Sequence, residues 1–194
     1  MDPLLIDVPE RIASDRMLLR RPLPGDGAAL NAAVCESLAE LRPWLPWAQE
    51  APTPDASELQ CRRMHARFAM REDLVLFIFE RRADGAEGTL VGGTGLHRID
   101  WSVPRFEIGY WRRSGWEGRG LIVEAVRALA RVAFDALSAR RVEIRMDARN
   151  ERSVRVAERA GFRFEGVLRQ DALDMAGQGR DTRVYSRVRG VEEA

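Results

Sequence analysis

Residues 106–137 constrain the fold more tightly than any other stretch of this chain. A β-forming run, Phe106-Glu-Ile-Gly-Tyr-Trp111, leads through Gly118-Arg-Gly120 into apolar residues at Leu121, Ile122, Ala125, Val126, Leu129, Val132 and Ala133. That spacing draws one face of a helix lying on a sheet, with Glu124, Arg127, Arg131 and Asp135 on the opposite face. The predicted helix covers 118–137, with both glycines at its N-terminal end, because glycine inside a helix costs about 1 kcal/mol. Such a junction gathers unpaired backbone N–H groups and the positive end of a helix dipole at a point nearly bare of side chain. Points of that kind bind anions, phosphate most often. A tight structural turn accounts for the two glycines equally well.

The rest of the chain sets that junction in a single mixed α/β domain spanning 1–194. A short strand is expected over 16–22, then a turn at 24–27 and a helix to Leu41. Two prolines keep 42–47 from being regular helix. A second helix is expected over 55–70, a buried strand over 74–80, a hairpin turn at 84–88 and its return strand over 89–99. A strand at 105–112 precedes the glycines, and 141–147, 150–160, 162–169 and 182–189 read as strand, helix, strand and strand. Antiparallel strands followed by a β-α-β crossover define the class.

Composition removes several functions. Net charge is +1, without the basic excess of a nucleic-acid binder. All 31 basic residues are arginine, so Schiff-base lysines and the Walker A lysine are excluded. Cys35 and Cys61 are far apart, and only His65 and His97 are available, which argues against a disulfide framework and against a metal site. No apolar stretch reaches membrane-spanning length and no signal peptide is visible, so a cytoplasmic protein without membrane partners is expected. A dinucleotide fingerprint fails because Val123 stands where its third glycine belongs. A nucleotide-dependent dehydrogenase is correspondingly disfavoured.

Three motifs then carry a resemblance. The context Phe106-Glu-Ile-Gly-Tyr-Trp-Arg-Arg-Ser-Gly-Trp-Glu-Gly-Arg-Gly-Leu-Ile-Val-Glu-Ala125 is similar to the acetyl-CoA-binding Q/R-x-x-G-x-G/A motif of the GNAT N-acetyltransferases. Asn150-x-x-Ser153, Gly161-Phe162 and Glu165-Gly-x-x-Arg169 resemble the signature of the RimJ/RimL-like branch, as does Leu41-Arg-Pro-Trp-Leu-Pro-Trp47. The likeness spans nearly the whole chain. It implies a GNAT fold, a central mixed, mostly antiparallel sheet of six to seven strands flanked by helices. It also implies transfer of acetyl from acetyl-CoA, without a metal, to a primary amine on a protein N-terminus or a small molecule. A homodimer is common in the family. The alternative is an acyl-CoA-binding module with weak or no turnover.

Carried over, the resemblance assigns cofactor binding to Tyr110, Trp111 and Arg112, to Glu117, Gly118, Arg119, Gly120, Leu121 and Ile122, and to Asn150 and Ser153. Glu117 departs from the usual glutamine or arginine and should point away from the pyrophosphate; Ile122 replaces a glycine or alanine. The family's tyrosine acid falls at Ala157 here, which leaves Ser153 as the proton donor to the sulfur. Glu107 leads as general base, with Asp171 and Asp174 (placed beyond a strand end) and His97 as rivals. Asn150 is equally a helix cap, Glu107 an ion-paired strand residue and His97 a structural histidine. Trp44 and Trp47 either wall the acceptor pocket or plug a gap between helices. The arginines at 145, 149, 152, 155 and 159 flank the site, and Gly161-Phe162 reads as a helix C-cap followed by a buried aromatic.

Overall fold

The computed structural model describes residues 2–192; Met1, Glu193 and Ala194 of the expected domain lie outside the described residues. Strands β1 (Arg11–Ala13) and β2 (Met17–Arg20) precede helices α1 (Gly27–Leu41) and α2 (Pro54–Ala69). Then come β3 (Leu74–Arg81), β4 (Glu87–Asp100), β5 (Arg105–Arg112) and α3 (Leu121–Asp135). The chain continues through β6 (Arg141–Asp147), α4 (Glu151–Arg159), β7 (Arg163–Leu173) and β8 (Gly179–Val188).

All eight strands form one sheet in the order β1-β2-β3-β4-β5-β6-β8-β7. This is one or two strands more than expected, because a three-residue β1 pairs with β2 and is too short to carry a periodic signal. Every neighbouring pair is antiparallel except β5–β6, which the α3 crossover makes parallel. Two further expectations need correcting. Helix α3 starts at Leu121, because Gly118 and Gly120 have φ of 70° and 73° and so lie outside right-handed helix. Strands β7 and β8 are longer than read, so Asp171 lies within β7 and not beyond it.

Alternation along the strands sends side chains into two apolar clusters, one on each face. Phe106 and Ile108 of β5, with Val142, Ile144 and Met146 of β6, pack on Leu121, Ala125, Val126 and Leu129 of α3. On the other face, Phe77 and Phe79 of β3 meet Leu30 and Val34 of α1 and Cys61 and Met64 of α2. That second cluster contains no residue of β6, β7 or β8. There the same face carries ion pairs, Arg141 with Glu143 and Glu165, and Arg145 with Asp171. Gly161 has φ of 87° and ends α4, and Phe162 is buried behind it.

Phe106 is 1% exposed and meets Trp101 edge-on at 5.3 Å. Phe106→Ala is expected to lower the urea unfolding free energy by about 3–5 kcal/mol. Val103→Ala, at an exposed turn position, should move it by less than about 0.5 kcal/mol.

Candidate active site

β5 and β6 pair over only three rows, Arg105↔Arg141, Phe106↔Val142 and Glu107↔Glu143. Beyond Glu107, β5 stays in register with β4 as far as Gly92↔Arg112, and β6 stays with β8 as far as Asp147↔Thr182. The two strands therefore part, and the main chain of 108–112 is left unpaired on its β6 side. A cavity of about 310 Å³ fills the opening. Glu107, Tyr110, Trp111, Arg112, Ile122, Asn150 and Ser153, seven of the catalytic and cofactor-binding residues expected from the sequence, line it together.

On the α4 side, the Asn150 side chain accepts from the Ser153 backbone N–H at 3.1 Å, so Asn150 is a working helix cap. The Tyr110 hydroxyl lies 2.8 Å from Ser153 Oγ and 3.1 Å from the Ser153 carbonyl oxygen. Burial pushes that phenol well above the ordinary tyrosine range, against the smaller opposing effect of the Ser153 hydrogen bond. It therefore stays protonated and can donate. The sequence placed Tyr110 at the cofactor through its main chain and missed this use of its side chain.

The carboxylate candidates separate by environment. Burial raises Glu107 above the usual glutamate range, opposed by Arg98, whose Nε is 3.4 Å from Oε2. Oε2 is buried without a hydrogen bond. Asp171 moves the other way, held low by hydrogen bonds from Thr182 and Arg145. Asp174 is also low, since it accepts from the N–H groups of Gln178 and Ala176 in the β7–β8 turn. Both are committed acceptors. Of these three carboxylates, Glu107 alone has its affinity for a proton raised by its surroundings. His97 lies on β4 beside Glu107, with Nδ1 2.5 Å from Asp73 Oδ1.

At the glycine turn, Gly118 and Gly120 hold left-handed conformations, and no side chain caps α3. The first N–H groups of the helix are thus left without a side-chain partner. Glu117 bends away from this point. Its carboxylate pairs with Arg112 and accepts from the Gly115 N–H at 3.1 Å, and the Arg112 hydrogen bond holds it below the usual range. Arg119 stacks over Trp116. Arg16, at the start of β2, clasps the turn by donating to the Arg119 carbonyl and to Glu124. The sequence offered no signal for Arg16, which is over a hundred residues away. On the far side, Trp44 lines the cavity, while Trp47 meets Trp111 edge-on at 6.0 Å. Of the flanking arginines, Arg145, Arg149 and Arg152 are committed to Asp171, to Asp147 and Asp174, and to Glu40.

Comparison with known proteins decides the family. Residues 16–163 match the model of the acetyltransferase (GNAT) domain. The chain belongs to the GNAT family of acetyl-CoA-dependent N-acetyltransferases. YdaF of Bacillus subtilis (strain 168), whose provisional name is ribosomal N-acetyltransferase, is 31% identical over 177 residues, 89% of this chain and 91% of YdaF. The ribosomal-protein-serine acetyltransferase of Escherichia coli (strain K12) is 34% identical over 107 residues, 53% of this chain and 56% of that one. These relatives put the chain in the RimJ/RimL-like branch. Among solved structures, the RimL ribosomal L7/L12 acetyltransferase in complex with coenzyme A superposes with a TM-score of 0.83 at 22% identity, covering 95% of this chain and all of that one. The microcin C7 self-immunity acetyltransferase MccE, with acetyl-CoA and AMP, gives 0.82 at 23%, covering 91% and 94%.

As a GNAT member the chain departs from the family pattern at Ala157, which is fully buried in the core and leaves no acid there. Among the described residues no group of three or more His, Cys, Asp and Glu could hold a metal ion, and no helix is long and apolar enough to cross a membrane.

The acetyltransferase's Glu107 links the site to stability. Its folded-state pKa lies above its unfolded value, so its favourable contribution is present below the ordinary glutamate range and lost as pH rises through the raised value. Above that raised value the fold carries the cost of burying the ionised carboxylate. Glu107→Gln should raise the urea unfolding free energy at pH 7. That gain should vanish near pH 4. A variant less stable than wild type at pH 7 would contradict the assignment.

Proposed function

We propose that this enzyme acetylates protein N-terminal amines by direct attack of the free amine on acetyl-CoA. One observation carries the reading: a carboxylate with raised proton affinity and a serine–tyrosine hydroxyl pair open onto the same cavity, where β5 and β6 part. Acetyl-CoA supplies the acetyl group as a thioester, whose carbon accepts the amine as the C–S bond breaks. The chain's own residues do the rest. The unpaired edge at Tyr110, Trp111 and Arg112 takes an extended, amide-bearing arm by main-chain hydrogen bonds. The N–H groups from Gly118 to Ile122 receive a pyrophosphate at the start of α3. Glu107 withdraws a proton from the acceptor ammonium, which carries no nucleophilic lone pair until it does so. Ser153 Oγ, held by the Tyr110 hydroxyl at 2.8 Å, gives its proton to the departing sulfur and regains one as the acylated nitrogen sheds its second proton on becoming the amide.

The oxygen of Asn150 is spent on the helix cap, which leaves its amide N–H groups for the ligand. Glu117, neutralised by Arg112, contributes backbone only. No acyl-enzyme is required. The Cys61 thiol is pushed up to about 12 by burial, and neither cysteine lines the cavity. A peptide acceptor is favoured over a small molecule by the names of the relatives, which act on ribosomal proteins. It is favoured too by the exposed indole of Trp44, which lines the cavity, and by that of Trp47, packed on the cavity-lining Trp111. A cytoplasmic setting, where acetyl-CoA and ribosomal proteins meet, accords with this reading.

Incubation with acetyl-CoA and a panel of amines, followed as free thiol, tests it. Ribosomal-protein N-terminal peptides should release thiol faster than small amines; release with small amines alone would overturn the peptide assignment. Ser153→Ala should lower kcat by roughly 10–100-fold while leaving CoA affinity, measured by calorimetry, near wild type. Tyr110→Phe should lower kcat less. Wild-type turnover in Ser153→Ala would remove that residue as the acid.

A further inference from the structure

Asp73, His97 and Glu107 lie in a row across the face of the sheet opposite α3. His97 and Glu107 are register partners on β4 and β5, so their Cβ atoms project from the same face about 5 Å apart. Pairing of Leu74 with Leu96 brings Asp73 beside His97, where its Oδ1 meets the imidazole Nδ1 at 2.5 Å. A carboxylate at Nδ1 fixes the proton there and leaves Nε2 as an acceptor. The ring has a prepared seat. A Cβ on Gly95 would come 3.0 Å from Nε2 and 2.9 Å from Cε1, and one on Gly109 would come 3.0 Å from Nε2. Any side chain at either position would push the imidazole away. Gly109 and Glu107 themselves line the cleft cavity, so the ring rests against residues that form its wall.

A buried base has a problem after it has worked. Burial raises the affinity of Glu107 for a proton against the opposing charge of Arg98, and its Oε2, 3.4 Å from Arg98 Nε, has no hydrogen bond through which to pass one on. Glu143, its register partner on the other side, is tied to Arg141 at 2.9 Å. We propose that Asp73 and His97 form a proton relay that resets Glu107 between turnovers. Glu107 takes one proton from the acceptor ammonium and hands it across a water to His97 Nε2, to which it is not directly hydrogen-bonded. Asp73 stabilises the resulting imidazolium, and the ring, one-third exposed, loses the proton to water. One proton enters and one leaves, and each group returns to its starting state. Imidazoles suit this step because the side chain as a class titrates near neutrality. In this scheme Glu107 touches the substrate, whereas His97 and Asp73 act through it. The inference rests on the function proposed above and deepens it.

The test is a steady-state series on His97→Gln and Asp73→Asn with acceptor amines of graded pKa, accompanied by ¹⁵N NMR of the labelled histidine. With the most basic amines, His97→Gln should lose roughly 10–100-fold in kcat, and Asp73→Asn should lose less. CoA affinity should stay unchanged, and the loss should shrink steadily as amine pKa falls. NMR should show His97 protonated at Nδ1 in the wild type and altered in Asp73→Asn. A loss equal across all amines, or wild-type turnover in His97→Gln while the wild type is active, would overturn the relay and leave the acetyltransferase reading intact. Absence of thiol release by the wild type with every amine would overturn both. Should His97→Gln fail to fold, the amine series on Asp73→Asn and the wild-type Nδ1 protonation decide the relay by the same criteria.

Discussion

Strands β5 and β6 are hydrogen-bonded for three rows and then separate, and the site depends on that separation. An interior strand that leaves its partner exposes a row of N–H and C=O groups, each costing about 1–3 kcal/mol if buried without a partner. The fold bears this because both strands are secured elsewhere. β5 pairs with β4 along its length, and β6 with β8. The free end of β5 is also strapped to α1. The Ser114 N–H donates to Ser37 Oγ, the Ser114 hydroxyl to Glu40, and Arg113 to Glu36. A sheet edge held in place but left without a neighbouring strand is a template for an extended, amide-bearing ligand.

The same separation sorts the polar groups. Tyr110 points toward α4 and reaches Ser153; Glu107, three residues earlier and so on the opposite face, reaches the row shared with His97. A hydroxyl pair that holds its protons and a carboxylate that seeks one are thus divided between the two faces of one strand. Both are shifted by burial, whereas Asp171 and Asp174 lie where the Thr182 hydroxyl, arginine and backbone donors satisfy them. Environment separates three acids that sequence makes alike, and the proposed roles follow that separation.

Period and punctuation made the elements legible. The apolar stripe of α3, the β-run of β3 and the Asn150 cap are local signals, and each element stands within a few residues of its expected position. What the sequence concealed was register. Counting outward from Arg81 opposite Glu87 would set Asp73 across from Gly95. Two irregularities near Phe79 shift the pairing by two residues and bring it to His97. A bulge has no periodic trace, so the dyad could not be read before the strands were paired. The parting of β5 from β6 is hidden for the same reason. Arg16 and the Tyr110 hydroxyl act across 103 and 43 residues, distances over which spacing carries no information.

Glu117 shows why a departure at a motif position can leave the site workable. A carboxylate facing a pyrophosphate would repel it strongly, yet this one is bound to Arg112 and to the Gly115 N–H, which cancels most of its field at the turn. Arg112 is shared with Glu40, so the pair belongs to the strapping of β5 as much as to the turn. The anion-binding capacity proposed for Gly118–Ile122 resides in peptide N–H groups and in the dipole of a fifteen-residue helix. Neither depends on the side chain at 117. In a chain whose every basic side chain is a guanidinium, planar and prone to paired contacts with carboxylates, the arginines around the cleft are largely committed to structure. In the proposed function phosphate recognition therefore falls to the backbone, and what that backbone requires is two left-handed residues in the right place, which glycine supplies.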